Sequence, residues 1–186
     1  MIAIGSDHGG VELKDYLVGL LCSRGVEVRD FGTQGRESVD YPDFGRAVSL
    51  RVARGEAERG ILICTSGIGM SIAANKFPGV RAALVVDLDG ARTSREHNDA
   101  NILVLSGAKT NKLVAQEIVQ TWLETPFAGG RHQRVSKRLP RLSGITVSES
   151  ITFRPKNNHA KENLHVLSGT NRFRSFFGHS KGNRQA

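Results

Sequence analysis

The sequence predicts a doubly wound α/β fold: five parallel strands with helices on both faces of the sheet. Two observations carry that reading. Short aliphatic or β-branched runs alternate with helical patterns through the first 125 residues, the order that successive βαβ units leave in a chain. The 186 residues also suffice for one ordinary domain and an appendage, with enough material to bury a sizeable core.

The first strand is Ile2-Ala-Ile-Gly5. Leu13, Leu17, Leu20 and Leu21 then recur at helical spacing until Gly25 stops the helix, and Val26–Val28 reads as the second strand. Cys22 falls inside this helical stripe and is assigned to packing. From Pro42 to Arg54 a helix is expected, because Phe44, Ala47, Val48 and Val52 share one face. Ile61–Ile63, Ala82–Val86 and Ile102–Leu105 supply strands three to five. A final helix spans about Asn111–Leu123, with Val114, Ile118 and Trp122 at helical spacing, before Pro126 and the pair Gly129-Gly130 break the pattern. Right-handed crossovers place a ligand beyond the carboxyl ends of such strands.

Charge divides the chain in two. The net charge of +8 would point to nucleic acid if it were spread over the molecule. Residues 1–135 hold 16 basic and 16 acidic residues, whereas residues 136–186 hold ten basic and two acidic ones, the whole excess. The neutral part lacks interleaved aromatic and basic residues, which points away from nucleic acid. A folded domain over 1–135 and a basic, poorly ordered tail over 136–186 are expected, since the latter is rich in Ser, Asn, Gly, Arg and Lys without sustained periodicity. No apolar run of about eighteen residues predicts a membrane span, and the N-terminus lacks a signal-like segment, so a cytoplasmic location is expected. Cys22 and Cys64 are far apart and without metal-ligand spacing, so thiols are expected rather than a disulfide or zinc site.

Three polar segments are expected to converge on the rim where strands one, three and four end. Gly5-Ser-Asp-His-Gly-Gly10 presents Asp7 and His8 before a helix, although Asp7 reads equally well as a cap. In Cys64-Thr-Ser-Gly-Ile-Gly-Met70, glycines let successive N–H groups face one concavity suited to a phosphate or an oxyanion. Cys64 at that strand end serves either as a small core hydrophobe or as a base or nucleophile, since a thiol at a helix N-terminus ionises more readily. The third segment, residues 93–101, presents His97 and Asn98 ahead of the fifth strand. A fourth stretch, Gly129-Gly-Arg-His-Gln-Arg134, offers Arg131 and Arg134, suited to phosphate or to a solvated helix start.

Five stretches, GSDHGG (5–10), DYPDF (40–44), GILICTSGIGMSIAANKFPGVRAAL (60–84), SREHNDAN (94–101) and TPFAGGRH (125–132), resemble the ribose-5-phosphate isomerases of the B type, a family that includes the galactose-6-phosphate isomerase subunits. The resemblance implies a Rossmann-like sheet, a homodimer with shared active sites, and aldose–ketose isomerisation of a sugar phosphate through a cis-enediolate without metal or nucleotide. It casts Cys64 as the base moving a proton between C2 and C1. Backbone amides of Ser66, Gly67, Ile68, Gly69 and Met70 would hold the enediolate oxygens. Some members use a glutamate later in this loop; here that position is Met70, which cannot take a proton.

His97, contributed by the neighbouring subunit with Asn98 beside it, matches the group that opens the sugar ring with Asp7. His8 and Arg131 match phosphate ligands, and Tyr41 and Ser66 line the sugar. Lys109 stands near the position of a phosphate-binding arginine, and Arg134 follows Arg131 by three residues where the family spacing is four. A six-carbon substrate such as galactose 6-phosphate or allose 6-phosphate, or binding of a phosphosugar without catalysis, are the competing readings.

Overall fold

The computed structural model describes residues 1–139. The strands are β1 (Ile2–Ser6), β2 (Val28–Asp30), β3 (Arg59–Cys64), β4 (Ala82–Leu84) and β5 (Ile102–Ser106). Between and after them run α1 (Val11–Ser23), α2 (Tyr41–Ala53), α3 (Ile68–Ala74), α4 (Leu88–Asn98), α5 (Lys112–Glu124) and α6 (Gly130–Ser136). All five strands pair in parallel, in the order β2-β1-β3-β5-β4. The chain moves outward from β1 to β2, then returns past β1 to β3. That reversal between β1 and β3 is where an open α/β sheet forms its ligand crevice.

Side-chain alternation sorts the core into two layers. Ile2, Ile4, Ile61, Ile63, Leu103 and Leu105 point to one face, where they meet Leu13, Leu17, Ile118 and the fully buried Trp122. Their neighbours Ala3, Leu62, Cys64, Ile102 and Val104 point to the other and meet Val48, Val52, Met70 and Ala74. Burial on both faces explains why β3 and β5 read as unbroken apolar runs.

Several boundaries move for local reasons. The second strand begins at Val28 and not Val26, because the Val26 N–H donates to the Leu21 carbonyl and closes the end of α1, with Gly25 at φ 74°. The short helices α3 and α6 and the longer α4 join those marked by periodicity. Cys22 is exposed, which corrects its assignment to packing. It lies five residues beyond Leu17, about 140° around the helix from that buried position.

Lys14 was not singled out by pattern, yet it is fully buried in α1 and holds Asp15 at 2.7 Å and Asp30 at 2.5 Å. Desolvation pulls its ammonium pKa down, but the two carboxylates outweigh this and the net direction is upward. The expected domain boundary at 135/136 falls inside the last turn of α6. Beyond Leu139 the expected tail lies outside the described residues. Among those described, no helix is long and apolar enough to cross a membrane.

Candidate active site

Cys64 is the last residue of β3, packed at 4 % exposure against the layer that contains Met70. The chain then turns sharply through Gly67, at φ 77°, into α3. The turn directs the Gly67 N–H onto the Cys64 sulfur at 3.1 Å, while the Ile68 N–H donates to Ser66 Oγ at 3.3 Å. An N–H aimed at sulfur interacts more strongly with a thiolate than with a thiol. Met70 is fully buried, so only its backbone faces the loop.

Close approach of glycines brings the other loops of this rim together. A Cβ on Gly9 would fall 2.0 Å from Thr65 Oγ1, and one on Gly107 would fall 2.3 Å from the Gly9 carbonyl oxygen. The loops after β1, β3 and β5 are thus in contact. Tyr41, at the start of α2, lays its ring over Gly69, where a Cβ would stand 2.9 Å from the ring carbons. Lys109 follows β5 on the same rim; its N–H donates to Ser106 Oγ, which in turn donates to the Thr65 carbonyl.

Asp7 is buried at 6 % exposure and accepts the Gly9 N–H at 2.9 Å. Burial pushes its carboxyl pKa above the usual aspartate value, only partly offset by that hydrogen bond and by His8. The cap of α1 is Gly10, with no side-chain bond, so Asp7 does not cap the helix. His8 accepts the Val39 N–H on Nδ1 at 3.2 Å, which leaves Nε2 as the ring's donor.

His97 and Asn98 do not join this rim, which corrects the expected convergence. They form the end of α4, which starts at the carboxyl edge after β4 and carries the chain back across the sheet to the amino end of β5. In the β3–β5 ladder Gly60 pairs with Ile102 and Cys64 with Ser106. The two edges are four residues apart along the strand, roughly 13 Å at about 3.3 Å per residue.

At the amino edge the His97 ring stacks on His132 of α6, with centroids 4.3 Å apart and planes 6° from parallel. The Ala128 N–H donates to the Glu96 carbonyl and ties the approach to α6 onto α4. Desolvation, then the positive charges of His97 and Arg131, hold the His132 pKa below the ordinary imidazole value. Arg131 and Arg134 are both exposed on α6. Among the described residues, no group of three or more His, Cys, Asp or Glu is placed to hold a metal ion.

Two groups of side chains thus lie at opposite edges of the sheet, a thiol in a glycine turn and paired imidazoles with arginines. The family model described as ribose/galactose isomerase matches residues 2–139. The chain belongs to the ribose/galactose isomerase family. A putative sugar phosphate isomerase of Bacillus subtilis is 48% identical over 138 residues, covering 73% of this chain and 93% of the relative. Ribose-5-phosphate isomerase B of Escherichia coli is 45% identical over 148 residues, covering 80% and 95%. Among solved structures, ribose-5-phosphate isomerase B of Clostridium thermocellum superposes with a TM-score of 0.75 at 53% identity, covering 76% of this chain and 95% of the other. The Mycoplasma genitalium enzyme with bound ribulose-5-phosphate gives 0.75 at 39% identity, covering 78% and 97%.

The isomerase chain also holds residues near both edges that carry no pattern in the sequence. Thr65 and Ser106 knit the loops of the carboxyl rim, and Arg81 and Asp99 bind the end of α4. A lone hydroxyl or arginine in a loop carries no periodic signal, and its role emerges only from the partner it meets.

Proposed function

We propose that the chain interconverts ribose 5-phosphate and ribulose 5-phosphate as a homodimer, each active site pairing Cys64 of one subunit with His97 and Asn98 of the other. The observation that carries this reading is the separation of the two half-sites: a proton-transfer thiol and imidazole on opposite edges of one sheet can meet only across a subunit boundary. Exposed apolar side chains beside the turn, Ile68 at 56 %, Ile72 at 56 % and Val86 at 69 %, offer surface that such pairing would cover.

The furanose must open first, because the ring has no free carbonyl. His97 and Asp7 divide that step: one removes the proton from the C1 hydroxyl while the other protonates the ring oxygen as its bond to C1 breaks, leaving an open-chain aldehyde. Asp7 suits a group that both holds and yields a proton, since burial raises its pKa. The Cys64 thiolate then removes the proton from C2, and the electron pair moves through C1 to O1, giving a cis-enediolate. Returning the proton to C1, with the O2 proton transferred to O1, yields the ketone. Amides of Ser66–Met70 stabilise the negative oxygens because they are already fixed in place. Tyr41 and Ser66 flank the sugar, Asn98 contacts its oxygens, and His8, Lys109, Arg131 and Arg134 surround the phosphate. No cofactor enters the scheme.

The deciding experiment is turnover of ribose 5-phosphate by the purified full-length protein, beside galactose 6-phosphate and allose 6-phosphate. Conversion of the pentose phosphate supports the proposal. Turnover of only a six-carbon phosphate shifts the substrate, and binding without turnover of any replaces catalysis with a binding role.

A further inference from the structure

The end of α4 is held by more than a helix terminus needs. Asp99, immediately after Asn98, is the one non-glycine residue at positive φ among the described residues, at 48°. A helix that had only to stop would place glycine there, which takes this conformation without a Cβ penalty. An aspartate brings a carboxylate, and two arginines grip it: Arg95 Nη1 donates to Oδ1 at 2.8 Å and Arg81 Nη2 to Oδ2 at 2.9 Å.

Arg81 reaches further. Its Nε donates to the carbonyls of Asn98 at 3.1 Å and Asp99 at 2.8 Å, groups that a helix end leaves without intrahelical partners. The same turn is bound from the other side, for Asn101 Oδ1 accepts the Arg81 N–H at 2.8 Å and Asn101 Nδ2 donates to the Gly79 carbonyl at 2.9 Å. Arg95 is itself immobilised, at 5 % exposure beside the Trp122 ring, with a second bond from Nη1 to the Ala100 carbonyl.

We infer that Arg81 and Asp99 are positioning residues: they lock the last turn of α4 so that His97 and Asn98 are presented in one fixed orientation to the neighbouring subunit's Cys64 loop. This rests on the isomerase reading above. A planar guanidinium that spans two carbonyls and a carboxylate fixes orientation as well as distance, which a lysine ammonium would not. Displacing the pair should impair ring opening and spare the proton transfer at Cys64, because that sulfur and its glycine turn belong to the opposite edge.

The test measures two reactions with full-length Arg81→Ala and Asp99→Asn proteins of wild-type oligomeric state. One is turnover of ribose 5-phosphate, which requires ring opening. The other is incorporation of solvent deuterium at C1 of ribulose 5-phosphate at saturating concentration, so that a lost Asn98 contact does not limit it; this sugar is open-chain because its C5 hydroxyl is esterified and cannot close a furanose. The expected result is a loss of turnover of about a hundredfold in Arg81→Ala, a smaller loss in Asp99→Asn, which tolerates the left-handed conformation, and deuterium exchange near the wild-type rate in both. Unchanged turnover in both variants overturns the inference. So does parallel loss of both reactions, the mark of a purely structural role. Wild-type protein that performs neither reaction overturns the isomerase reading and this inference with it.

Discussion

The two edges of the sheet are built on different terms. At the carboxyl edge, glycines at 9, 67, 69 and 107 bring backbone into close approach with neighbouring loops and side chains, and one amide of the turn is directed at the Cys64 sulfur. At the amino edge long side chains gather instead: the His97 ring stacks on His132 of α6, and arginine hydrogen bonds hold the end of α4 that carries His97. Backbone donors need no partner to be pre-organised, whereas flexible cations need a scaffold to fix them. The division teaches that, in the proposed site, the thiol and the imidazole stand on differently built edges of one chain and are brought together by a second copy.

Removing the sulfur breaks the comparison most severely. Cys64→Ala should lower turnover between about a hundredfold and ten thousandfold, the span of one acid–base group, while binding of the sugar phosphate persists. Turnover near wild type, measured beside a binding isotherm, would remove Cys64 from the chemistry and return it to packing.

Mixing protomers addresses the sharing of halves directly. Cys64→Ala and His97→Ala proteins, each inactive alone, should regain about a quarter of wild-type activity when unfolded and refolded together in equal amounts, since random pairing in a two-fold dimer gives one intact site in four. No recovery in properly formed mixed dimers would mean that both groups act within one chain or that one of them does not act.

Much of the fold was legible because its physics is local. The apolar runs of β3 and β5 and the Val48–Val52 stripe of α2 follow from burial on both faces of a parallel sheet. His97 falls on the edge opposite the expected rim because order along the chain does not give position across the sheet. An eleven-residue helix advances about 1.5 Å per residue, enough to recross a five-residue strand. That arithmetic was available in the sequence. Lys14 was not: a lysine in an apolar stripe gives no sign of the two carboxylates that neutralise it until Asp30 is placed across from it. Asp99 was equally hidden, since left-handed backbone at a non-glycine residue is decided by the arginines that close on its carboxylate.

A smaller effect comes from the turn that joins sulfur to amides. Gly67→Ala places a Cβ 2.4 Å from Leu84 Cδ1 and 3.1 Å from the Leu105 carbonyl oxygen, at φ 77°. The left-handed backbone alone costs about 1–2 kcal/mol. Denaturant midpoints should fall accordingly, and turnover should fall further than stability because the N–H directed at Cys64 moves. Loss of stability with full activity in the folded fraction would show that the donor contributes nothing to the reaction.

The smallest effect separates the price of function at the carboxyl edge from ordinary packing. Burial raises the Asp7 carboxyl above its usual value of 3.8, so the folded state holds that proton more tightly than the unfolded chain does. Its contribution to stability is therefore complete below about pH 3.8 and is lost as pH rises through the folded value. Asp7→Asn removes the titration and keeps the acceptor oxygen for the Gly9 N–H. Urea midpoints from acid to neutral pH should show the variant gaining on wild type as pH rises, with the difference levelling once Asp7 is fully ionised. A gap independent of pH would mean that the buried carboxylate is already well compensated by Gly9 and His8, and that the proton exchanged in ring opening is held elsewhere.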